Sequence, residues 1–172
     1  ISVVVPNKVR VYDMDFTDLP NAMEYLASLL PQPSSFPPSL PPPKVRPSPA
    51  GRLTPQKLCE VVAALQPSDC IIVDESLTSG GSFWDASADS PPFSHLTLTG
   101  GAIGQGPPCS VGAAIACPSR RVINLQADGS GLYTAQALWT QAHEQLRVTT
   151  IVCANNRYGI LNIELNRQKP KY

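Results

Sequence analysis

Two short stretches carry residue types that can do chemistry together: "ADGSG" (Ala127 to Gly131) and "ANNRYG" (Ala154 to Gly159). Asp128 offers a carboxylate, Asn155 or Asn156 an amide oxygen, and the tight turn beyond them a backbone carbonyl. Hard oxygen donors of this kind suit Mg²⁺ or Ca²⁺, with octahedral positions left for water and phosphate oxygens. Gly129 and Gly131 let backbone N–H groups approach an anion closely, and Ser130 adds a hydroxyl. A helix opening just after them would aim its positive end at the same spot. The set therefore fits a diphosphate bridged to a divalent cation. Taken singly, each motif is equally what a strand-terminating turn looks like.

The elements that must position these groups are legible in the apolar pattern. "CIIVD" (Cys70 to Asp74), "RVINLQAD" and "VTTIVCAN" are short, nearly continuous apolar runs, as expected for parallel strands covered on both faces. Between the last two, Ala135, Leu138, Trp139, Ala142 and Leu146 recur at helical spacing, which predicts a βαβ unit with Trp139 in its core stripe. Upstream, Thr54 and Pro55 read as N-cap and first helical position, ahead of an apolar stripe of Leu58, Val61, Val62 and Leu65. Gly106 to Ala116 reads as a helix of small residues. The fold class that follows is α/β, a parallel sheet with helices on both faces, here incomplete. In such sheets ligands bind outside the carboxyl ends of the strands, so "DESLTSGG" (Asp74 to Gly81) joins the two stretches above. Asp74 and Glu75 point to opposite faces of their strand and are not a paired acid and base; both are expected to shape that loop.

Three regions divide the chain. Residues 1–30 read as the end of a preceding domain, 31–53 as a proline-rich linker and 54–172 as the α/β domain, truncated at its C-terminus. Loose P-x-x-P matches in the linker leave a docking role open beside the spacer role. The chain reads as a fragment of a longer protein. Thirteen basic and thirteen acidic residues cancel, so no nucleic-acid or anionic-membrane partner is expected, and the apolar runs are too short for a membrane helix. Five cysteines without C-x-x-C spacing read as buried reduced thiols rather than zinc ligands, consistent with a cytoplasmic protein; a targeting peptide upstream is left open. His143 is expected to face solvent, and His95 to sit either in structure or at the border of a substrate pocket.

From Ala127 to Leu161 the sequence resembles the G-D-G…N-N cofactor motif of thiamine diphosphate-dependent enzymes, in particular the acetolactate synthase-like large subunits and benzoylformate decarboxylases. The similarity runs from about Thr54 to the C-terminus. It implies Mg²⁺ bound by Asp128, by the side chain of Asn155 and by the backbone carbonyl of Arg157, with Asn156 the alternative amide ligand. It implies Gly129 and Ser130 facing the diphosphate of thiamine diphosphate, with Tyr158 nearby and Leu77 and Thr78 in the matching diphosphate loop. "GGAIGQGPP" resembles the segment on the aminopyrimidine side, with Gly101 as backbone contact and Ile103 as the apolar wedge that bends the cofactor. The activity implied is decarboxylation of a small 2-oxo acid, or its ligation to a second carbonyl compound, by a homodimer or homotetramer. The activating glutamate is expected upstream of Ile1, so no catalytic residue is assigned in this chain, and the fragment alone is expected to be inactive. The family's first motif glycine is Ala127 here, which would strain the loop if its φ were positive and be mild if negative. That departure supports an alternative, a non-catalytic relative or assembly subunit. A nicotinamide-binding Rossmann reading lacks its G-x-G-x-x-G.

Overall fold

The computed structural model describes residues 19–29 and 49–168. The strand-like text before residue 19 and most of the proline-rich stretch lie outside the described residues. The chain forms two compact units, 1–40 and 41–172. In the first, helix α1 (Leu19–Leu29) carries Pro20 in its first turn, where a missing N–H costs nothing.

The second unit opens with α2 (Pro55–Leu65), capped by Thr54, whose hydroxyl accepts from the Lys57 N–H at 3.2 Å. Its buried face is Cys59, Val62 and Ala63, while Leu65 is 70% exposed, so the inward stripe is rotated from the expected one. Among the described residues four strands follow, β1 (Ile71–Glu75), β2 (Ser94–Thr97), β3 (Val122–Ala127) and β4 (Val148–Cys153), interspersed with α3 (Phe83–Ala86), α4 (Gly106–Ala116), α5 (Asp128–Gly131), α6 (Gln136–His143) and α7 (Gly159–Gln168). All pairings are parallel, in the order β2-β1-β3-β4. β2 and α3 have no counterpart in the sequence reading: four residues of mixed polarity at a sheet edge give too short a pattern to register.

Side chains alternate across β1 and β3 as strand geometry requires. Ile72, Ile123 and Leu125 pack with α2 and α3, whereas Ile71, Val73 and Val122 pack against Ala113 and Ala114 of α4. Helices thus cover both faces, and each fully buried aliphatic side chain contributes about 1.5–3 kcal/mol. The α4 face turns polar toward the carboxyl end of the sheet, where Glu75, Asn124, Gln126 and Ser110 are all buried.

The helix expected after Asp128 is broken into α5, a 3₁₀ turn (Leu132–Thr134) and α6. Only Ala137 and Gln141 of α6 are buried, and Trp139, expected in the core, is 66% exposed and stacked on His143. The inward face of α6 is thus the Ala137/Gln141 face, with Gln141 Nε2 reaching the Pro107 carbonyl of α4 at 3.4 Å. All five cysteines are free, with Cys59 and Cys70 buried. Among the described residues no helix is long and apolar enough to cross a membrane.

Candidate functional site

The connection after β1 runs to β2 on one side and the connection after β3 runs to β4 on the other, so chain direction diverges between the adjacent strands β1 and β3. Such a switch point leaves a crevice at the strand ends. Here the loop after β1 is a 3₁₀ turn (Leu77–Ser79) built on Asp74, whose carboxylate accepts from the Ser76 N–H at 2.9 Å and from the Ser76 hydroxyl. Gly80 closes over this arrangement: a Cβ there would lie 3.0 Å from both Asp74 carboxylate oxygens. Leu77 is held at φ 51°, a left-handed conformation costly for a branched side chain, which the tight loop imposes. Burial pushes the Asp74 carboxyl upward, but the nearby His95 imidazole and the hydrogen bonds from Ser76 outweigh it and hold the group below the usual carboxylate range. His95 itself is packed among Phe83, Trp84 and Phe93, 3.7 Å from Asp74. It is therefore a wall of the β1 loop's support and does not line the cleft described next.

After β3, Ala127 has φ −83° and ψ 146°, ordinary extended backbone in which its methyl carries no strain. Asp128 then opens the short α5. One oxygen of its carboxylate accepts from the Asn156 N–H at 2.8 Å and the Asn155 N–H at 3.1 Å, clamping the loop after β4 to the loop after β3. The Asn156 amide is the chief cause of a carboxyl held below its usual range. Asn155 turns its Oδ1 onto the Arg157 N–H at 3.0 Å, and the Arg157 carbonyl accepts from the Gly159 N–H at 3.2 Å, so each oxygen has one partner inside a tight turn and a second lone pair left over. Asn156 takes φ 54°, which asparagine tolerates.

One cleft is lined by Leu77, Thr78, Asp128, Gly129, Ser130, Asn155, Arg157 and Tyr158, together with Cys153. The three strand ends singled out in the sequence therefore converge. Asn156 is not among its lining residues, so Asn155 is the amide side chain that shares the cleft with Asp128. Gly129 is there for space: a Cβ would sit 2.6 Å from the Tyr158 ring. Ser130 lines the cleft but is 2% exposed, its hydroxyl accepting from Gln126 Nε2 at 2.8 Å and turned toward the Ala127 carbonyl. Its hydroxyl is thus engaged beneath the loop, and what it presents to an anion is backbone. Burial also raises the Cys153 and Cys59 thiols above their ordinary range, which leaves them protonated and poor nucleophiles.

Gly101 and Ile103 stand apart from this cleft, on the loop between β2 and α4. Gly100, Gly101 and Gly104 all take positive φ, and Ile103 is 37% exposed at the loop's crest. Glu75 supports this loop rather than the one that follows it in sequence. At 1% exposure, its carboxylate accepts from the backbone N–H groups of Gly104 and Gly106. The expectation that Glu75 shapes the diphosphate loop is thus corrected, because its side chain points to the α4 face while that of Asp74 points to the other. Sequence reasoning also passed over Asn124 and Gln126. Their only signal was two amides at period two inside an apolar strand.

Comparison with known proteins gives a consistent answer. Residues 82–172 match the family described as thiamine pyrophosphate enzyme, C-terminal TPP binding domain. The chain is 51% identical over 119 residues to the "Putative acetolactate synthase large subunit IlvX" of Mycobacterium tuberculosis, covering 69% of this chain and 23% of that protein. It is 35% identical over 136 residues to benzoylformate decarboxylase of Pseudomonas aeruginosa, covering 79% and 26%. Among solved structures, the thiamine diphosphate-dependent 4-hydroxybenzoylformate decarboxylase of Rhodococcus jostii RHA1 superposes with TM-score 0.65 at 30% identity, covering 88% of this chain and 29% of that one. The chain spans about a quarter of the length of these curated relatives.

Proposed function

Because this chain belongs to the thiamine diphosphate-dependent enzymes and carries their C-terminal cofactor-binding domain, we propose that its cleft holds the diphosphate end of thiamine diphosphate through Mg²⁺, as part of a 2-oxo acid decarboxylase or carboligase. The observation that carries this reading is the convergence of three strand-end loops on one cleft at the sheet's switch point.

The donor set fits the ion. Asp128 would supply one carboxylate, Asn155 an amide oxygen and Arg157 a backbone carbonyl. Among the described residues no group of three or more His, Cys, Asp or Glu side chains forms an all-protein cage. A site with a single carboxylate suits Mg²⁺, which keeps water and phosphate oxygens in its shell. Leu77 and Thr78 would meet the diphosphate from the β1 side, and the backbone of Gly129 and Ser130 from the β3 side, with Tyr158 closing over Gly129. Gly101 and Ile103 would serve the ring end. When bound, thiamine diphosphate supplies the electron sink for loss of CO₂ from a 2-oxo acid. The protein's share is to fix position and charge. The activating glutamate would come from another domain, in a homodimer or homotetramer. Ala127 gives no support to a non-catalytic relative, since its methyl is accommodated at negative φ.

The test is CO₂ release or ligation product from the full-length protein, given thiamine diphosphate, Mg²⁺ and a panel of pyruvate, benzoylformate and larger 2-oxo acids. Turnover that requires both additions supports the reading. Cofactor binding without turnover of any of them would favour the non-catalytic relative, and failure to bind the cofactor would refute the site.

A further inference from the structure

We infer that Glu75 is a positioning residue for the ring end of the cofactor, acting through the loop that bears Ile103. This rests on the proposed thiamine diphosphate site. Gly104, the residue after Ile103, is fixed at both of its backbone groups. Its N–H donates to Glu75 and its carbonyl accepts from the Thr134 hydroxyl at 2.8 Å. Its positive φ and the Tyr133 Cβ, 2.7 Å from where a Cβ of Gly104 would stand, leave it no other seat. Gly106, which opens α4, donates to the other Glu75 oxygen. A Cβ on Gly106 would lie 2.8 Å from Glu75 Oε2 and 3.1 Å from Asn124 Oδ1, so that glycine is what lets the backbone reach the carboxylate.

The geometry links the two ends of the site. Glu75 stands one residue before Ser76, where the β1 loop begins, and Thr134 lies six residues beyond Asp128. The loop under the ring end is thereby pinned to the end of β1 and to the 3₁₀ turn (Leu132–Thr134) that follows β3 and α5, two of the segments next to the diphosphate cleft. The Asn124 side-chain amide and the Gln126 Oε1 are buried beside Glu75 without hydrogen-bond partners among the described residues, so the carboxylate is the acceptor that the Gly104 and Gly106 N–H groups use. Bonds from backbone N–H to a buried carboxylate are charge-assisted and roughly twice as strong as neutral ones, so the loop's height depends on this group above others.

The experiment compares two ligands on the full-length protein with saturating Mg²⁺: thiamine diphosphate, which needs the ring-end loop, and inorganic diphosphate, which needs only the cleft. In Glu75→Gln one oxygen is replaced by an amide N–H facing a backbone N–H. Affinity for thiamine diphosphate is expected to fall about tenfold, the scale of one lost charge-assisted bond, while affinity for diphosphate stays within about twofold. Thr134→Val removes the second pin and should show the same selective loss at about two- to threefold, the scale of a weak neutral hydrogen bond. Unchanged thiamine diphosphate affinity in Glu75→Gln, or equal losses for both ligands, would overturn the inference. Should Glu75→Gln not fold, Thr134→Val decides by the same comparison. Wild-type protein that binds neither ligand would instead overturn the site reading beneath the inference.

Discussion

Glu75 ends β1 and Asp128 follows the last residue of the neighbouring strand β3, and both carboxylates accept two backbone N–H groups from a loop distant in sequence. They differ in surroundings. Glu75 is enclosed on the α4 face beside Asn124 and Gln126, with both oxygens committed to the loop it holds. Asp128 is open to the cleft, and both loop amides share one of its oxygens. The same bonding pattern thus serves two ends. Enclosed, a carboxylate fixes backbone; at a rim, it fixes backbone and still presents negative charge to a cation.

The largest expected effect separates these roles by stability. Glu75→Ala leaves two buried N–H groups unpaired and should cost about 3 kcal/mol or more in urea unfolding. Asp128→Ala, measured the same way without cofactor, should lower the midpoint clearly less, because the Asn155 and Asn156 N–H groups it frees lie at the exposed rim where water can take them. Equal losses from the two substitutions would erase the distinction.

Acid sharpens it next. Asp74 and Asp128 both have folded-state values held below the ordinary aspartate range, so the unfolded chain binds protons first as pH falls. Their contribution is complete above the unfolded value of about 3.9 and is lost as pH falls through the folded one. Wild-type stability should therefore drop below about pH 4. Asp74→Asn, which weakens the support of the Ser76 turn, should cost about 1–3 kcal/mol at neutral pH and flatten that acid slope. A slope as steep as wild type would mean that other carboxyls carry it.

The smallest effect is at Ala127. Because its backbone is extended, Ala127→Gly should gain no cofactor affinity and lose about 0.5–1 kcal/mol through the greater freedom of the unfolded chain. A marked gain in affinity would show that the methyl does crowd the loop.

Strands β1 and β3 were readable because buried parallel strands are written as short apolar runs, β4 because it carries similar apolar text although it lies at the sheet edge with no residue buried, and α2 because Thr54 and Pro55 announce it. The candidate cleft was readable for a related reason: polar and glycine residues at the ends of such runs have nowhere to go but the sheet's carboxyl edge. Strand order was not, since which strands become neighbours depends on long-range packing, and with it went the switch point between β1 and β3. Trp139 misled because helical spacing gives a stripe without saying which stripe faces inward. Glu75 was misassigned because adjacency to Ser76 suggests a shared loop, whereas strand alternation sends its side chain to the opposite face. Placing it requires knowing that Gly104 and Gly106, about thirty residues later in the sequence, fold back over that face.

The most direct test of the account is thiamine diphosphate binding to full-length Asp128→Ala, titrated with Mg²⁺ and again with the metal chelated. The wild-type protein is expected to bind in a metal-dependent way, and the variant to show no metal-dependent binding. A variant that binds as tightly as wild type, with the same response to Mg²⁺, would contradict the assignment of Asp128 and of the cleft built around it.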